Sequence, residues 1–533
     1  MIDVLPPPEI CVSRYVLERH AHEKPDQVFA VFEGGGSWAY GETLTRVRRV
    51  AAALQDLGIC QDDHVVVWLP NNAAALETYL AINYIGAVYI PINTSYRGSL
   101  LGHVIDNSDA RVIIAHHELA PRLAEIDTAA LETALISGGT SASVAGLTLL
   151  NYEAIMSTGG EPTEPPRKIQ PWDLQSIVYT SGTTGPSKGT MSSYFHAYNG
   201  MNEDAWHCLH ANDRALINLP MFHIAGCFIT YAMLCRGGSV AMSPGFKTET
   251  FWDVVRETQS TAVFLLGVMC SFLIKEKPHA NDKNHPLRMV FSVPLTEESV
   301  IFHDRFGTDL YTIFNMTELN TPIISEANPR EPGRAGSARP VNDLRIVNEH
   351  DLEVPDGQVG ELIIRPHLPW AINHGYYKNP EATARAWRNG WFHTGDAFRR
   401  DTNGQYWFVD RLKDAIRRRG ENISSFEVEV VVNEHPNVQE CAAIPVPSEH
   451  GEDEVMIVCA PKRGQTVDPT ELIEFLIPRM AHFMVPRYVR IVDELPKTPT
   501  TKVQKTDLRN DGVTSDTWDR EAAGISLRRE KLG

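Results

Sequence analysis

A short apolar run, Leu174, Ile177, Val178 and Tyr179, leads into Ser181, Gly182, Thr183, Thr184, Gly185, Pro186, Ser187, Lys188 and Gly189, a stretch of hydroxyls and glycines with one ammonium and no large side chain. A buried strand that opens into such a loop constrains the fold more than any other stretch. The loop must sit at the end of a covered sheet, where its backbone can face a ligand. Glycines let successive N–H groups approach an anion and form a concavity for it. The hydroxyls can donate to phosphate oxygens, and Lys188 adds a point charge. We read the stretch as a loop for the β- and γ-phosphates of a nucleotide. It is not a Walker A loop, which ends in G-K-[ST], because Ser187 precedes the lysine and Gly189 follows it. A solvated turn has no need of an apolar strand in front of it.

The rest of the chain supports a layered α/β fold. Leu44, Val47, Ala51 and Leu54 mark one face of a helix that Gly58 ends. A strand His64–Leu69, a helix Ala73–Tyr84, a strand Ala87–Ile90, a helix Arg97–Asn107 and a strand Val112–Ala115 follow in turn. This strand–helix–strand repetition predicts a parallel sheet. Residues 121–171, rich in Gly, Ser, Thr and Pro, read as an irregular surface connection. Alternation resumes over 172–320, with strands near Ile177, Leu216, Val263, Met289 and Tyr311, and residues 335–410 read as a small β-rich subdomain. After Arg411 a basic segment leads into a compact α+β unit: a helix Phe426–Glu434, strands around Ala442 and Met456, a helix Pro469–Met480 and a strand Tyr488–Val492. The tail from Asp511 is polar and reads as mobile.

Charge and cysteine usage narrow the function classes. A formal charge of −18 argues against non-specific binding to nucleic acid or anionic membrane, so an anionic ligand must be met by local cations. The eight cysteines are scattered with no C-x-x-C pair, as expected of reduced thiols in a cytoplasmic protein. His207, Cys208 and His210 lack a second ligand pair at zinc spacing and read as one face of a local helix. The longest apolar run, Thr261 to Ile274, is too short to span a bilayer, and the N-terminus carries no secretory pattern.

The stretch 179–190 resembles the signature loop of the adenylate-forming superfamily, which includes acyl-CoA synthetases, peptide-synthetase adenylation domains and luciferases. Five further segments match that family's pattern in its order: LPMFHIAG (219–226), FNMTEL (314–319), GWFHTGD (390–396), DRLKDAIRRRGENI (410–423) and LPKTPTTKVQK (495–505). The run at 410–424 is similar to that of crotonobetaine/carnitine–CoA and fatty-acyl-CoA ligases.

The resemblance implies a two-step reaction in which an acid attacks MgATP to give acyl-AMP and pyrophosphate, and the CoA thiol then gives acyl-CoA and AMP. It implies an adenylate-forming N-terminal domain over 1–410, a hinge at 411–414 with Lys413 at its centre, and a mobile C-terminal α+β domain over 415–533. It also implies roles for single residues. Lys502 is the adenylation lysine and His223 stands beside the reacting carboxylate. Thr180, Ser181, Gly182, Thr183, Thr184, Gly185 and Lys188 hold the phosphates, and Thr317 donates to the α-phosphate. Thr180 and Glu318 ligate Mg²⁺. Val293 and Pro294 lie on the adenine face, and Phe314 stacks on the base with Asn315 beside the acyl group. Asp396 and Arg411 hold the ribose. Apart from the resemblance, Arg417 to Arg419 read as a solvated face or, favoured because a charge of −18 needs local cations, as an approach to the CoA phosphates. Partners are the acid, ATP and CoA, with a homodimer as the assembly.

The chain departs from the family pattern at Phe291, Phe314, Asn315, Asp410 and Thr501. Two rival readings stand beside this one: adenylation with transfer of the acyl group to the thiol of a separate carrier protein, and a nucleotide-binding protein with weakened catalysis, suggested by Phe291, Asn315 and Thr501.

Overall fold

The computed structural model describes residues 5–141, 143–180, 187–411, 415–418, 421–448, 451–496, 503 and 505–527. Two seven-stranded sheets form its larger, N-terminal part. The first runs in the order Thr148–Asn151, Thr133–Ser137, Val112–His116, His64–Trp68, Val88–Pro91, Leu174–Thr180 and Lys188–Ser193. All of its pairs are parallel except the last, where Lys188–Ser193 pairs antiparallel with Leu174–Thr180. The second sheet runs Asp309–Tyr311, Met289–Val293, Ala262–Leu266, Arg214–Ile217, Ser239–Met242, Val28–Phe32 and Ser37–Ala39, again parallel until the final pair.

Strands such as Val65–Val66–Val67 are apolar without alternation because both faces of a parallel sheet are covered. One core cluster joins the facing sides of the two sheets through the helices Tyr40–Asp56, Ala73–Tyr84, Tyr194–Met201 and Ile224–Arg236. The helix Ala73–Tyr84 is buried nearly all round, as its unbroken apolar composition requires. Asn72 starts it by accepting the Ala75 N–H at 2.8 Å.

An eight-stranded sheet follows between Ile313 and Arg411, with every pair antiparallel. The C-terminal part carries a hairpin, Ala415–Arg418 with Glu421–Ser424, and a four-stranded sheet of Val438–Pro447, Asp453–Pro461, Tyr488–Ile491 and Trp518–Asp519. An apolar cluster continues from the outer face of the first sheet (Ile90, Tyr96, Leu101) to Ile423, Val428 and Phe483 of this smaller part.

Several expectations need correction. Residues 121–171 contain the two parallel strands Thr133–Ser137 and Thr148–Asn151 and the helix Tyr152–Thr158. Glycine- and serine-rich connections masked short apolar strands such as Thr133–Ser137, whose last four residues are buried. The antiparallel sheet begins at Ile313, earlier than the expected 335. His207, Cys208 and His210 lie in turns beyond the helix that ends at Met201, so they share no helix face. The tail beyond Asp511 is built into the fold as far as Leu527. Trp518–Asp519 pairs with Tyr488–Val489, and Arg520, 2 % exposed, donates to the Pro486 carbonyl at 3.1 Å.

Candidate active site

The C-terminal ends of both parallel sheets open onto one cavity of about 1760 Å³, where the crevices of such sheets bind ligands. Thr180, at the end of its strand, lies on the wall, and Lys188 begins the returning strand in register with it. The Lys188 ammonium lies 4.8 Å from the centre of the Tyr376 ring. The segment 219–226 is held by Asn71, whose amide donates to the Leu219 carbonyl at 2.9 Å and accepts the Met221 N–H at 2.8 Å. That clamp delivers His223 to the start of the helix Ile224–Arg236, and its Nε2 lies 3.2 Å from Glu421 Oε2.

The turn after the strand Ile313–Phe314 brings Asn315, Thr317 and Glu318, and the strand Trp391–Arg400 brings Asp396. Glu318 is 6 % exposed and accepts the Tyr376 hydroxyl at 2.9 Å. Burial, and then the Glu318 carboxylate, push the Tyr376 phenol well above its usual range, so it stays a neutral donor. Asp396 is 5 % exposed, and its N–H donates to Thr394 Oγ1 at 3.1 Å. Backbone pairing sets Asp396 opposite Arg411, the neighbour expected of it at the ribose.

The cavity thus gathers Thr180, Lys188, His223, Val293, Asn315, Thr317, Glu318 and Asp396. Ser181, Gly182, Thr183, Thr184, Gly185, Lys413, Arg419 and Lys502 lie outside the described residues, as does the Arg411 side chain. Pro294 follows Val293 without joining the lining. Phe314 does not face the cavity. Its ring meets Phe398 edge-on at 4.7 Å inside the core of the antiparallel sheet. The period of a strand explains this: Ile313 and Asn315 line the cavity, so Phe314 between them points the other way.

The expectation for 417–419 divides. Arg417 lines the cavity. Arg418 is 2 % exposed, donates to the Phe483 and Val485 carbonyls, and lies 2.6 Å from the Glu454 carboxylate. It therefore holds the smaller part together and is not available to CoA. Burial explains why a charge run on a hairpin need not be a solvated face.

Three contributors escaped the sequence reading: Tyr376, Glu421 and Glu427. Glu427 lies on the helix Ser425–Asn433 of the smaller part and accepts the hydroxyl of Ser187, which precedes the strand Lys188–Ser193. Burial raises its carboxyl to about 7, against a smaller opposing effect of Ser187. A charged residue at a core-facing helical position was the one signal available for it.

A carboxyl raised in the folded state binds more protons there than in the unfolded chain, so stability falls as pH rises between about 4.5 and 7. It is fully favourable below that window and changes no further above it. Glu427→Gln should flatten this part of the profile. Denaturant melts of both proteins at steps from pH 4.5 to 8 check it, and parallel profiles would remove Glu427 as the cause.

Comparison with known proteins gives the family. The profile described as AMP-binding enzyme matches residues 17–377, and that of the AMP-binding enzyme C-terminal domain matches 427–502. A crotonobetaine/carnitine–CoA ligase of Salmonella arizonae is 28% identical over 483 residues, 89% of this chain and 93% of its own length. An indoleacetate–CoA ligase of Aromatoleum aromaticum is 29% identical over 501 residues, 92% and 96% of the respective chains. Among solved structures, the o-succinylbenzoate CoA synthetase of Bacillus subtilis superposes with a TM-score of 0.80 at 19% identity, covering 93% of this chain and 98% of that one. No helix among the described residues is long and apolar enough to cross a membrane.

Proposed function

Because this chain belongs to the AMP-binding enzyme family, we propose that its cavity activates a carboxylic acid with ATP and passes the acyl group to CoA. The observation that carries this reading is the convergence of Lys188, His223, Thr317, Glu318 and Asp396, drawn from distant segments, on one cavity.

Substitution at the α-phosphorus needs positioning and charge neutralisation more than a nucleophilic side chain. Lys188 and the loop 181–185 would hold the leaving pyrophosphate, Thr317 would donate to the α-phosphate, and Asp396 with Arg411 would hold the ribose. A carboxylate is acceptor-only and takes two O–H donors at once, which suits a vicinal diol. Lys502 would bind the attacking carboxylate and the adenylate oxygens. His223, oriented by Glu421, would flank the reacting carboxyl.

Glu318 and Thr180 offer the hard oxygen donors that suit Mg²⁺, and both line the cavity. The ion when bound supplies charge neutralisation on the phosphates.

A second cavity of about 890 Å³ lies between the helix Gly98–Asn107 and the smaller part, and carries Asp106, Glu125, Asp127 and Glu434 beside Arg97 and Arg479. That acidic lining does not suit phosphates, which leaves Arg417, on the main cavity, to replace Arg418 as the candidate for the CoA phosphates. Lys502 and this CoA face belong to different stretches of the smaller part, so we propose that it turns at 411–414 between the half-reactions. The proposed domains are 1–410 and 415–533.

Asp396→Ala should weaken nucleotide binding by about 1.5–3 kcal/mol, the worth of hydrogen bonds to a charged acceptor. Calorimetric titration with ATP measures this, and unchanged affinity in a folded variant would remove Asp396 from the ribose. The function itself is tested with a panel of carboxylic acids scored by CoA-dependent AMP formation. AMP formation that needs both an acid and CoA supports thioester synthesis. AMP formation independent of CoA would point to another acceptor.

A further inference from the structure

Asp396 stands where the strand Trp391–Arg400 leaves its regular pairing with the strand Val359–Pro366. His393 pairs with Ile363 and Ala397 with Glu361, so Leu362 alone faces Thr394, Gly395 and Asp396. A bulge of this kind re-aims a side chain and leaves backbone groups that the ladder no longer satisfies. Gly395 takes up the left-handed conformation that the bulge requires, with φ at 74°. Asp396, at the end of the bulge, lines the main cavity.

Side chains replace the missing ladder bonds. The Gly395 N–H donates to Glu361 Oε1 at 3.0 Å, and the Asp396 N–H donates to Thr394 Oγ1 at 3.1 Å. Thr394 Oγ1 in turn donates to the Leu362 carbonyl at 2.7 Å. Glu361 is held on its other oxygen: Oε2 lies 2.9 Å from His393 Nδ1 and accepts Arg388 Nη2 at 3.1 Å. His393 is buried, with its Nε2 3.8 Å from Asp351, to which Arg388 and Asn389 also donate. Burial opposes a charge on Glu361, but the bonds from His393 and Gly395 and the guanidinium of Arg388 outweigh it and hold the carboxyl below its ordinary range. Glu361 is therefore an acceptor only, and His393 Nδ1 is the donor.

We propose that Glu361 is a positioning residue for the nucleotide: through the Gly395 N–H it holds the bulge that aims the Asp396 carboxylate at the ribose hydroxyls. This rests on the ribose reading of Asp396 and adds the residue that keeps it in place. A carboxylate that accepts two hydroxyls must be placed within about half an ångström, and the groups that lock the loop behind it set that placement. Glu361 itself also lines the cavity, so the test must separate aiming Asp396 from touching the ribose directly.

The test is calorimetric titration of the full chain with MgATP and with its 2′,3′-dideoxy analogue, whose affinity ratio reports the ribose hydroxyls alone. We expect the wild type to favour ATP by at least about tenfold. Glu361→Ala should shrink that ratio by at least about threefold, whereas Glu361→Gln, which keeps an oxygen for Gly395, should retain most of it. Glu361→Met fills the same space without an oxygen and stands in for alanine if that variant does not fold. In the Asp396→Ala background Glu361→Ala should change the ratio by less than about twofold, because its route to the ribose is gone. An unchanged ratio in a folded alanine or methionine variant, or a glutamine variant as poor as either, overturns the inference. So does a further drop in the Asp396→Ala background, which would make Glu361 a ligand in its own right. Equal binding of the two nucleotides by the wild type overturns the ribose reading, and the inference with it.

Discussion

Replacing Lys502 by alanine is expected to lower adenylate formation by roughly a hundredfold to a thousandfold while sparing thioester formation from supplied acyl-AMP. In the first half-reaction charge builds as the carboxylate oxygen attacks the α-phosphorus. A fixed ammonium at that point stabilises the transition state more than the ground state. In the second, the thiol attacks a carbonyl whose leaving group is AMP, and the hairpin Ala415–Ser424 faces the cavity through Glu421. The motif carrying Lys502 has Thr501 where the family pattern has glycine, so the assignment is open to a real test. Pyrophosphate release and thioester formation are assayed separately. Near-normal pyrophosphate release by the variant would show that another group supplies the charge.

Glu318→Gln is expected to lower adenylate formation by about a hundredfold or more without unfolding the protein. The substituted side chain keeps an oxygen for the Tyr376 hydroxyl, now 2.9 Å from Glu318 Oε1, so the local packing survives. The negative charge is lost, and with it the hard anionic donor proposed for Mg²⁺. The Mg²⁺ concentration needed for half-maximal exchange should rise with the loss of rate. An unchanged Mg²⁺ requirement in a folded variant would assign Glu318 to packing alone.

Much of this architecture was legible because its signals are local. Val65–Val67 and Ala73–Tyr84 are apolar enough to announce a covered strand and a buried helix, and both form where the periodicity puts them. The site was legible through residue types that chemistry restricts: Glu318, Asp396, His223 and Lys188 all reach one cavity. What escaped depends on distant parts of the chain. Phe314 has the ring expected to stack on a base, but strand alternation turns it onto Phe398. Arg418 reads as a surface charge until folding sets Glu454 and two carbonyls around it. The strand Trp518–Asp519 exists because Tyr488–Val489 offers an edge, and nothing in the polar tail indicates that partner.

The central claim, that the acid attacks the α-phosphorus of ATP, is most directly tested with a carboxylic acid labelled with oxygen-18 in its carboxyl group. Attack by a carboxylate oxygen bonds it to phosphorus as pyrophosphate leaves. The thiol then breaks the acyl carbon–oxygen bond, so AMP departs with that oxygen. Mass spectrometry of the products after a turnover with CoA should find one labelled oxygen in each AMP and none in pyrophosphate. Label in inorganic phosphate, or AMP free of label, would contradict an acyl adenylate.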